Sequence, residues 1–286
     1  MKQETVPDFA IRIKHAVFCL CFLTLLVGVS NPVPARAGER RTYTFAVVPQ
    51  FPPLLIKRYW TPLLDRVSRE MGVELKLQFY KSIPDFELDL LKGVPDFAYM
   101  NPYQVVLTHK ANGYVPLVRD EHRQLVGILV VRADSAVKSV RDLDGKVLAF
   151  PSPKAFAASQ YLRALLSEKE KIQFTPKYVT THSNVYRHVI LGRVPAGGGV
   201  NKTLDKEPQS LKALLRIIYR TPGVPAHPIC AHSRVPPSLR ETMSRSVMKL
   251  AGEPSSQALL RAVAISKPVK ADYGKDYSSL ERLRLE

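Results

Sequence analysis

Residues 96–103 read Asp96-Phe97-Ala98-Tyr99-Met100-Asn101-Pro102-Tyr103. The strand-like stretch Asp96–Met100 runs directly into Asn101-Pro102. That pair supplies a helix cap and a first-turn proline whose missing N–H is not needed there. A helix through Asn112 is expected to follow. The same device recurs downstream, where a strand at Lys146–Phe150 is followed by Ser152-Pro153 and an expected helix from about Ala155 to Ser167. Working outward, Thr42–Val48 is a β-branched and aromatic strand that stops at Pro49. Leu55, Tyr59, Leu63, Val67 and Met71 recur at helical spacing and end at Gly72. Pro62 lies inside that pattern, so either Thr61 caps a helix with Pro62 in its first turn or a longer helix kinks there. Val73–Tyr80 alternates as a strand, and Ser82 with Asp85 resembles a capping box for a helix ending at Gly93. Tyr114–Val118 returns as strand.

The alternation then repeats. Leu125–Val131 is continuously apolar, as in a strand buried on both faces. Ser139 with Asp142 caps a short turn closed by Gly145. Phe174–Val179 is a strand, His182-Ser183 opens a helix to Leu191, and the glycine-rich Ala196–Val200 is a strand or a place of close backbone approach. Leu215–Tyr219 and Ile229–Ala231 supply further strands. Helices at Pro237–Leu250 and Ser255–Val263 and a short polar tail near Ser278–Leu285 complete the chain. Strands alternating with helices imply α/β layers with mostly parallel sheets, and two successive blocks imply two similar lobes. In such sheets ligands sit beyond the carboxyl ends of strands, where helices begin. Ser82, Asn101, Ser152 and Ser183 all fall there, and helix starts carry unsatisfied amides that favour an anion.

Composition is consistent with a packed, exported protein. The 286 residues are 45% hydrophobic and 23% charged, which excludes intrinsic disorder as the main state. Lys2, Arg12 and Lys14 precede an apolar run from Ala16 to Val29. Asn31, Pro32 and Pro34 break it, and Ala35-Arg36-Ala37 offers small residues for cleavage, so residues 1–37 read as a secretory leader. Its removal takes four basic and two acidic residues and lowers the net charge from +17 to +15. Of three cysteines, Cys19 and Cys21 leave with it and Cys230 remains, so an internal disulfide is excluded from the mature chain. Lys and Arg are scattered rather than gathered into a stripe, and no nucleic-acid-binding motif occurs, so the charge suits anionic ligands or an anionic membrane surface, or is simply a solvated basic surface, the commoner case.

Several stretches together resemble the phosphate/phosphite/phosphonate-type periplasmic substrate-binding proteins of ABC importers. They are Asp96–Tyr103, Leu125-Val-Gly-Ile-Leu-Val-Val-Arg132, Asp142-Leu-Asp-Gly-Lys-Val-Leu-Ala-Phe150, Tyr59-Trp60-Thr-Pro-Leu-Leu64, Thr181-His182-Ser183-Asn184-Val185 and Lys267-Pro-Val-Lys-Ala-Asp272-Tyr273. The resemblance runs in order over about residues 42–283. It implies a type II periplasmic binding protein: an α/β fold of two Rossmann-like lobes joined by two crossover strands and closing on a small ligand. The crossovers are expected near Leu125–Val131 and His227–His232. Residues 38–126 and 227–286 would then form one lobe and residues 127–226 the other.

The resemblance also implies where the ligand sits. The family's oxyanion is held at a helix start that usually reads Ser-Thr-Ser-Gly. Here that stretch is Ala155-Phe156-Ala157-Ala158, after Pro151-Ser152-Pro153-Lys154. The amides survive and the hydroxyl donors do not. Each charge-assisted hydrogen bond contributes about 1.5–3 kcal/mol, so such a loss is enough to alter the ligand class. Two family aromatic positions fall at Ile83 and Met100 and an acidic one near Pro195. With Phe156, Ile83 and Met100 suit a ligand with an apolar portion. The matched histidine is His182, a donor that becomes cationic at mild acidity. The expected cleft is Asn101, Tyr103, Ser152, Ala155, Phe156 and His182. Asn101 and Ser152 would serve as cap donors, Ala155 and Phe156 through amides, Tyr103 and Phe156 through their rings, and His182 as a donor.

No catalytic constellation occurs, and no cofactor is expected. His227, Cys230 and His232 are metal-ligand types within six residues, yet on a strand Cys230 and His232 share one face and His227 points away. A buried thiol is the plainer reading of Cys230. The function expected is periplasmic capture of a small anion by a monomer that hands it to an ABC permease. The alternative is a ligand-sensing module for a histidine kinase, with no transport.

Overall fold

The computed structural model describes residues 40–122, 124–283 and 285, and the expected leader lies outside them. In chain order the elements are β1 (Thr42–Val47), α1 (Pro53–Met71), β2 (Glu74–Gln78), α2 (Ile83–Leu91), β3 (Phe97–Tyr99), α3 (Pro102–Asn112), β4 (Val115–Asp120) and β5 (Gln124–Leu125). They continue with β6 (Gly127–Arg132), β7 (Lys146–Phe150), α4 (Tyr161–Glu168), β8 (Phe174–Tyr178), α5 (His182–Ile190), β9 (Ala196–Val200), α6 (Asn201–Asp205), α7 (Gln209–Lys212) and β10 (Leu215–Arg220). The chain closes with β11 (Val224–Pro225), β12 (Ile229–Ala231), α8 (Pro237–Ala251), α9 (Gln257–Ala262) and β13 (Pro268–Lys270).

These elements build two α/β lobes. One sheet has the order β13-β4-β12-β3-β1-β2, the other β10-β6-β9-β7-β8. The sheets are mixed, not mostly parallel as the alternation suggests. Strands β1, β2 and β3 pair in parallel, as do β7, β8 and β9, but β12 runs against both β3 and β4, and β6 against both β9 and β10. Both β6 and β12 are the first full strands after a link between the sheets. Each enters its sheet from the side where the neighbouring strands end, and this sets its direction. The links themselves meet as the two-stranded pair of β5 and β11, where Val224 faces Leu125. They therefore lie a few residues before the stretches expected to cross over, most of which are already inside sheets.

Local sequence explains the elements that position the cleft. Helix α1 continues past Pro62 as one element and buries Ile56, Trp60, Leu63, Leu64, Val67 and Met71, so the longer of the two expected helices is the one formed. In β6, Ile128 and Val130 pack on one face of the sheet and Leu129 and Val131 on the other, each against its own apolar cluster. That is why the run is apolar throughout. The β9 glycines serve close approach. An added Cβ at Gly198 would lie 2.2 Å from the Ala158 carbonyl oxygen, and at Gly197 and Gly199 it would strike Val185 and Tyr186 of α5. At Gly127 it would lie 2.2 Å from the Ala157 oxygen. Backbone at residues 157–158 thus rests directly on β6 and β9. Just before the expected polar tail Tyr277 is fully buried and donates to the Ala226 carbonyl, and within the tail Leu280 is buried. Among the described residues no helix is long and apolar enough to cross a membrane.

Candidate functional site

The carboxyl ends of β1, β3, β7, β8 and β9 converge between the lobes. From the first lobe come Val48, Gln50, Ile83, Asn101 and His227; from the second come Ala155, Phe156, Ala157, Ala158, His182 and Val200. With Leu125 at the link they line a space of about 10 Å³, room for one water at most. No Asp or Glu is among the described residues lining it.

The second-lobe wall departs from its expected form. Ser152 does not cap the helix. Its hydroxyl accepts from the Lys154 amide at 3.4 Å and its carbonyl from the Ala155 amide at 3.3 Å, closing a turn that delays the helix. The helix starts at Phe156 with a π-helical turn, Phe156–Gln160, that leads into α4. Ala155 occupies the cap position with no side-chain cap bond. The first amides of a helix have no intrahelical partner, and here no side chain caps them. Gly127 and Gly198 bring this uncapped start against the sheet. Phe156, 2% exposed, stacks on Tyr103 at 5.7 Å and on Tyr161 at the same distance. Its ring therefore bridges the lobes and fills the gap, and the apolar core of the first lobe extends to residues 155–158.

The first-lobe wall is a capping box. The Asn101 side-chain oxygen accepts from the Gln104 amide at 2.8 Å, and the Gln104 side chain accepts from the Asn101 amide at 3.1 Å. This uses the Asn101 oxygen and leaves its Nδ2 as the group with donors for the cleft. Gln104 also reaches Glu87, whose other oxygen lies 3.5 Å from Lys154 Nζ across the lobes.

His182 opens α5, one residue after Thr181, which is the cap and accepts from the Asn184 amide at 3.1 Å. His182 is 2% exposed, and neither ring nitrogen has a hydrogen-bond partner. Burial, with the Lys202 charge second, holds its pKa down to about 3. The ring therefore stays neutral even at mild acidity, where the sequence reading expected a cation, with one donor and one acceptor unmet. His227 is 1% exposed with Nε2 unpartnered, and burial and Lys202 push its pKa well below the ordinary range. Lys202 of α6 donates to the Tyr99 hydroxyl at 3.1 Å and lies 3.3 Å from His227 Nδ1.

Of the residues expected in the cleft, Asn101, Ala155, Phe156 and His182 line it together. Tyr103 supports the Phe156 ring, and its hydroxyl accepts from the Leu285 amide at 2.9 Å. Ser152 shapes the preceding turn. Ile83 lines the space, while Met100 is fully buried beneath it and takes the Thr108 hydroxyl on its sulfur. Sequence reasoning did not place His227 or Lys202 here. His227 and its two metal-type neighbours occupy three separate settings: the cleft, the β12 core for the buried Cys230 thiol, and the Arg234 amide for His232. The order His227-Pro228 just after a lobe link was the one available signal.

A family model described as the periplasmic substrate-binding protein of a phosphonate ABC transporter matches residues 45–277. The chain belongs to that family. It is a solute-binding protein of the ABC-transporter class, and the family match lends the sensing alternative no support. No curated protein matches it in sequence. Among solved structures, this binding protein is similar to the binding component of an ABC phosphonate transporter from Pseudomonas aeruginosa, with a TM-score of 0.73 at 13% identity over 82% of each chain. It is similar to PhnD1 from Prochlorococcus marinus in complex with methylphosphonate, with a TM-score of 0.76 at 13% identity over 85% of this chain and 97% of that one. A Xanthomonas citri protein bound to chloride ion gives 0.68 at 19% identity over 85% and 94%. These likenesses carry the fold, a type II periplasmic binding protein.

Proposed function

We propose that the protein captures a small oxyanion between its lobes in the periplasm and presents it to an inner-membrane permease. One observation carries this reading: His182 is buried with both ring nitrogens unmatched, beside a helix start that has no side-chain cap. A buried polar group left unmet is destabilising by about 1–3 kcal/mol, and an oxyanion answers both features at once. The absence of carboxylates from the described lining supports a negative ligand. Asn101, Ala155, Phe156 and His182 are the proposed contacts. Tyr103 and Ser152 act behind them. The chain binds without turning its ligand over and works as a monomer.

Residues 38–126 with 227–286 form the first proposed lobe and residues 127–226 the second. Membership of the two sheets and the β5–β11 pairing support that division. Closure about this pair would bring the walls together. Residues 1–37 direct export and are removed.

A thermal-shift screen of the purified protein with phosphate, phosphite, phosphonates, sulfonates and carboxylates tests the reading. At least one anion should raise the melting temperature, since ligand at a hundred times its Kd adds about 2.7 kcal/mol of stability. His182→Ala should reduce the shift. Stabilisation by neutral or cationic compounds alone would refute it.

A further inference from the structure

The cleft holds a second histidine whose proton can be placed. His227 Nδ1 faces the Lys202 ammonium at 3.3 Å, and the imidazole stacks on Tyr99 at 5.4 Å and 25°. An ammonium carries only donors, so a neutral imidazole meets it with its unprotonated nitrogen. Nδ1 is the acceptor and the proton sits on Nε2. Burial and the adjacent positive charge keep the ring neutral. What remains is a buried N–H donor, unmatched in the protein, on a residue that lines the cleft. Tyr99 stacking and Lys202 together fix the ring, so this donor is preorganised.

The surroundings specify what it can accept. The adjoining space of about 30 Å³ is lined by Gln50, Phe51, Tyr59, Trp60, Lys202 and Lys206 among others, again with no carboxylate among the described residues. Lys206 lies 4.5 Å from the Tyr59 ring centroid and 5.0 Å from that of Phe51. A ligand ammonium entering here meets two lysines and aromatic faces already approached by cations. A ligand oxygen meets donors.

We infer that His227 is a second anion-recognition residue, its Nε2–H set by Lys202, and that the cleft selects small oxyanions lacking a cationic substituent over amino-substituted ones. This rests on the reading of the cleft as an anion site.

Titration calorimetry of the purified protein with methylphosphonate and with 2-aminoethylphosphonate tests it. Methylphosphonate should bind at least about tenfold tighter, a difference of about 1.4 kcal/mol. His227→Phe keeps a ring against Tyr99 and removes the donor, and it should weaken methylphosphonate by about tenfold or more. His227→Gln carries an amide N–H near the Nε2 position and should stay within about threefold of wild type. Nitrogen-15 NMR of the wild type should show His227 as the Nε2–H tautomer, and Lys202→Met should mix the tautomers. This last readout and the Gln variant hold even if His227→Phe does not fold. Equal or tighter binding of 2-aminoethylphosphonate, an Nδ1–H tautomer, or unchanged affinity in His227→Phe would overturn the inference while leaving the anion site standing. If neither methylphosphonate nor inorganic phosphate binds the wild type, the anion reading itself fails and takes this inference with it.

Discussion

His182 ties the protein's stability to pH. Its folded pKa, near 3, lies below the unfolded value of about 6.5, so the unfolded chain binds the proton more readily. Stability is therefore fully present above pH 6.5 and falls as the pH drops from there toward 3, by up to about 1.4 kcal/mol per unit for each such histidine. His227 is shifted the same way, and the more exposed His232 less deeply. The lowered carboxylates matter only as the pH nears their usual values, 3.8 for Asp96 and Asp276 and 4.5 for Glu121, Glu253 and Glu281, so the range from pH 7 to about 5.5 isolates the histidines. Urea unfolding across that range should show the decline, and His182→Phe should flatten it. An unchanged slope in that variant would place the lost protons elsewhere. Sequence matching was enough to single out His182. It could not show that both ring nitrogens are unmatched, because that depends on what the other lobe places opposite.

At the scale of elements, the β9 glycines and the helix start form one unit. Gly198→Ala puts a methyl 2.2 Å from a backbone oxygen that cannot swing aside, with Phe150 at 2.6 Å. We expect a loss of about 2–4 kcal/mol in denaturant unfolding, together with weaker anion binding, as residues 156–158 are pushed off the sheet. Gly252→Ala is the control. Its backbone is helical, the nearest contact is 3.5 Å away, and the change should stay within about 0.5 kcal/mol. Near-native stability in Gly198→Ala would show that the helix start can shift freely. The strand–cap–proline device at residues 96–103 was legible because its signals are local: Asn101 caps and Pro102 follows, as read. The matching device at residues 146–153 was only half legible. Ser152-Pro153 has the same local chemistry, but the glycine floor beneath residues 157–158 favours a helix that starts at Phe156.

At the scale of the whole molecule, Trp60 reports on the cleft. It packs 4.7 Å from Tyr99, which meets both Lys202 and His227, and it is the chain's one tryptophan. Saturating methylphosphonate should change its emission, with the half-maximal change at the calorimetric Kd. Binding without any optical change would mean that the lobes do not move relative to this aromatic cluster. By itself the sequence determined the α/β class, two lobes and the strand ends at which helices begin, because periodicity, caps and first-turn prolines act within a few residues. Resemblance added the family and one histidine. Tertiary structure decided the mixed strand directions, the uncapped start at Phe156, the ring that bridges the lobes, and the meeting of His182, His227 and Lys202. Those residues are separated by up to 45 positions in the chain. Charges and ring nitrogens interact only over a few ångströms, so nothing short of the folded cleft could bring their chemistry together.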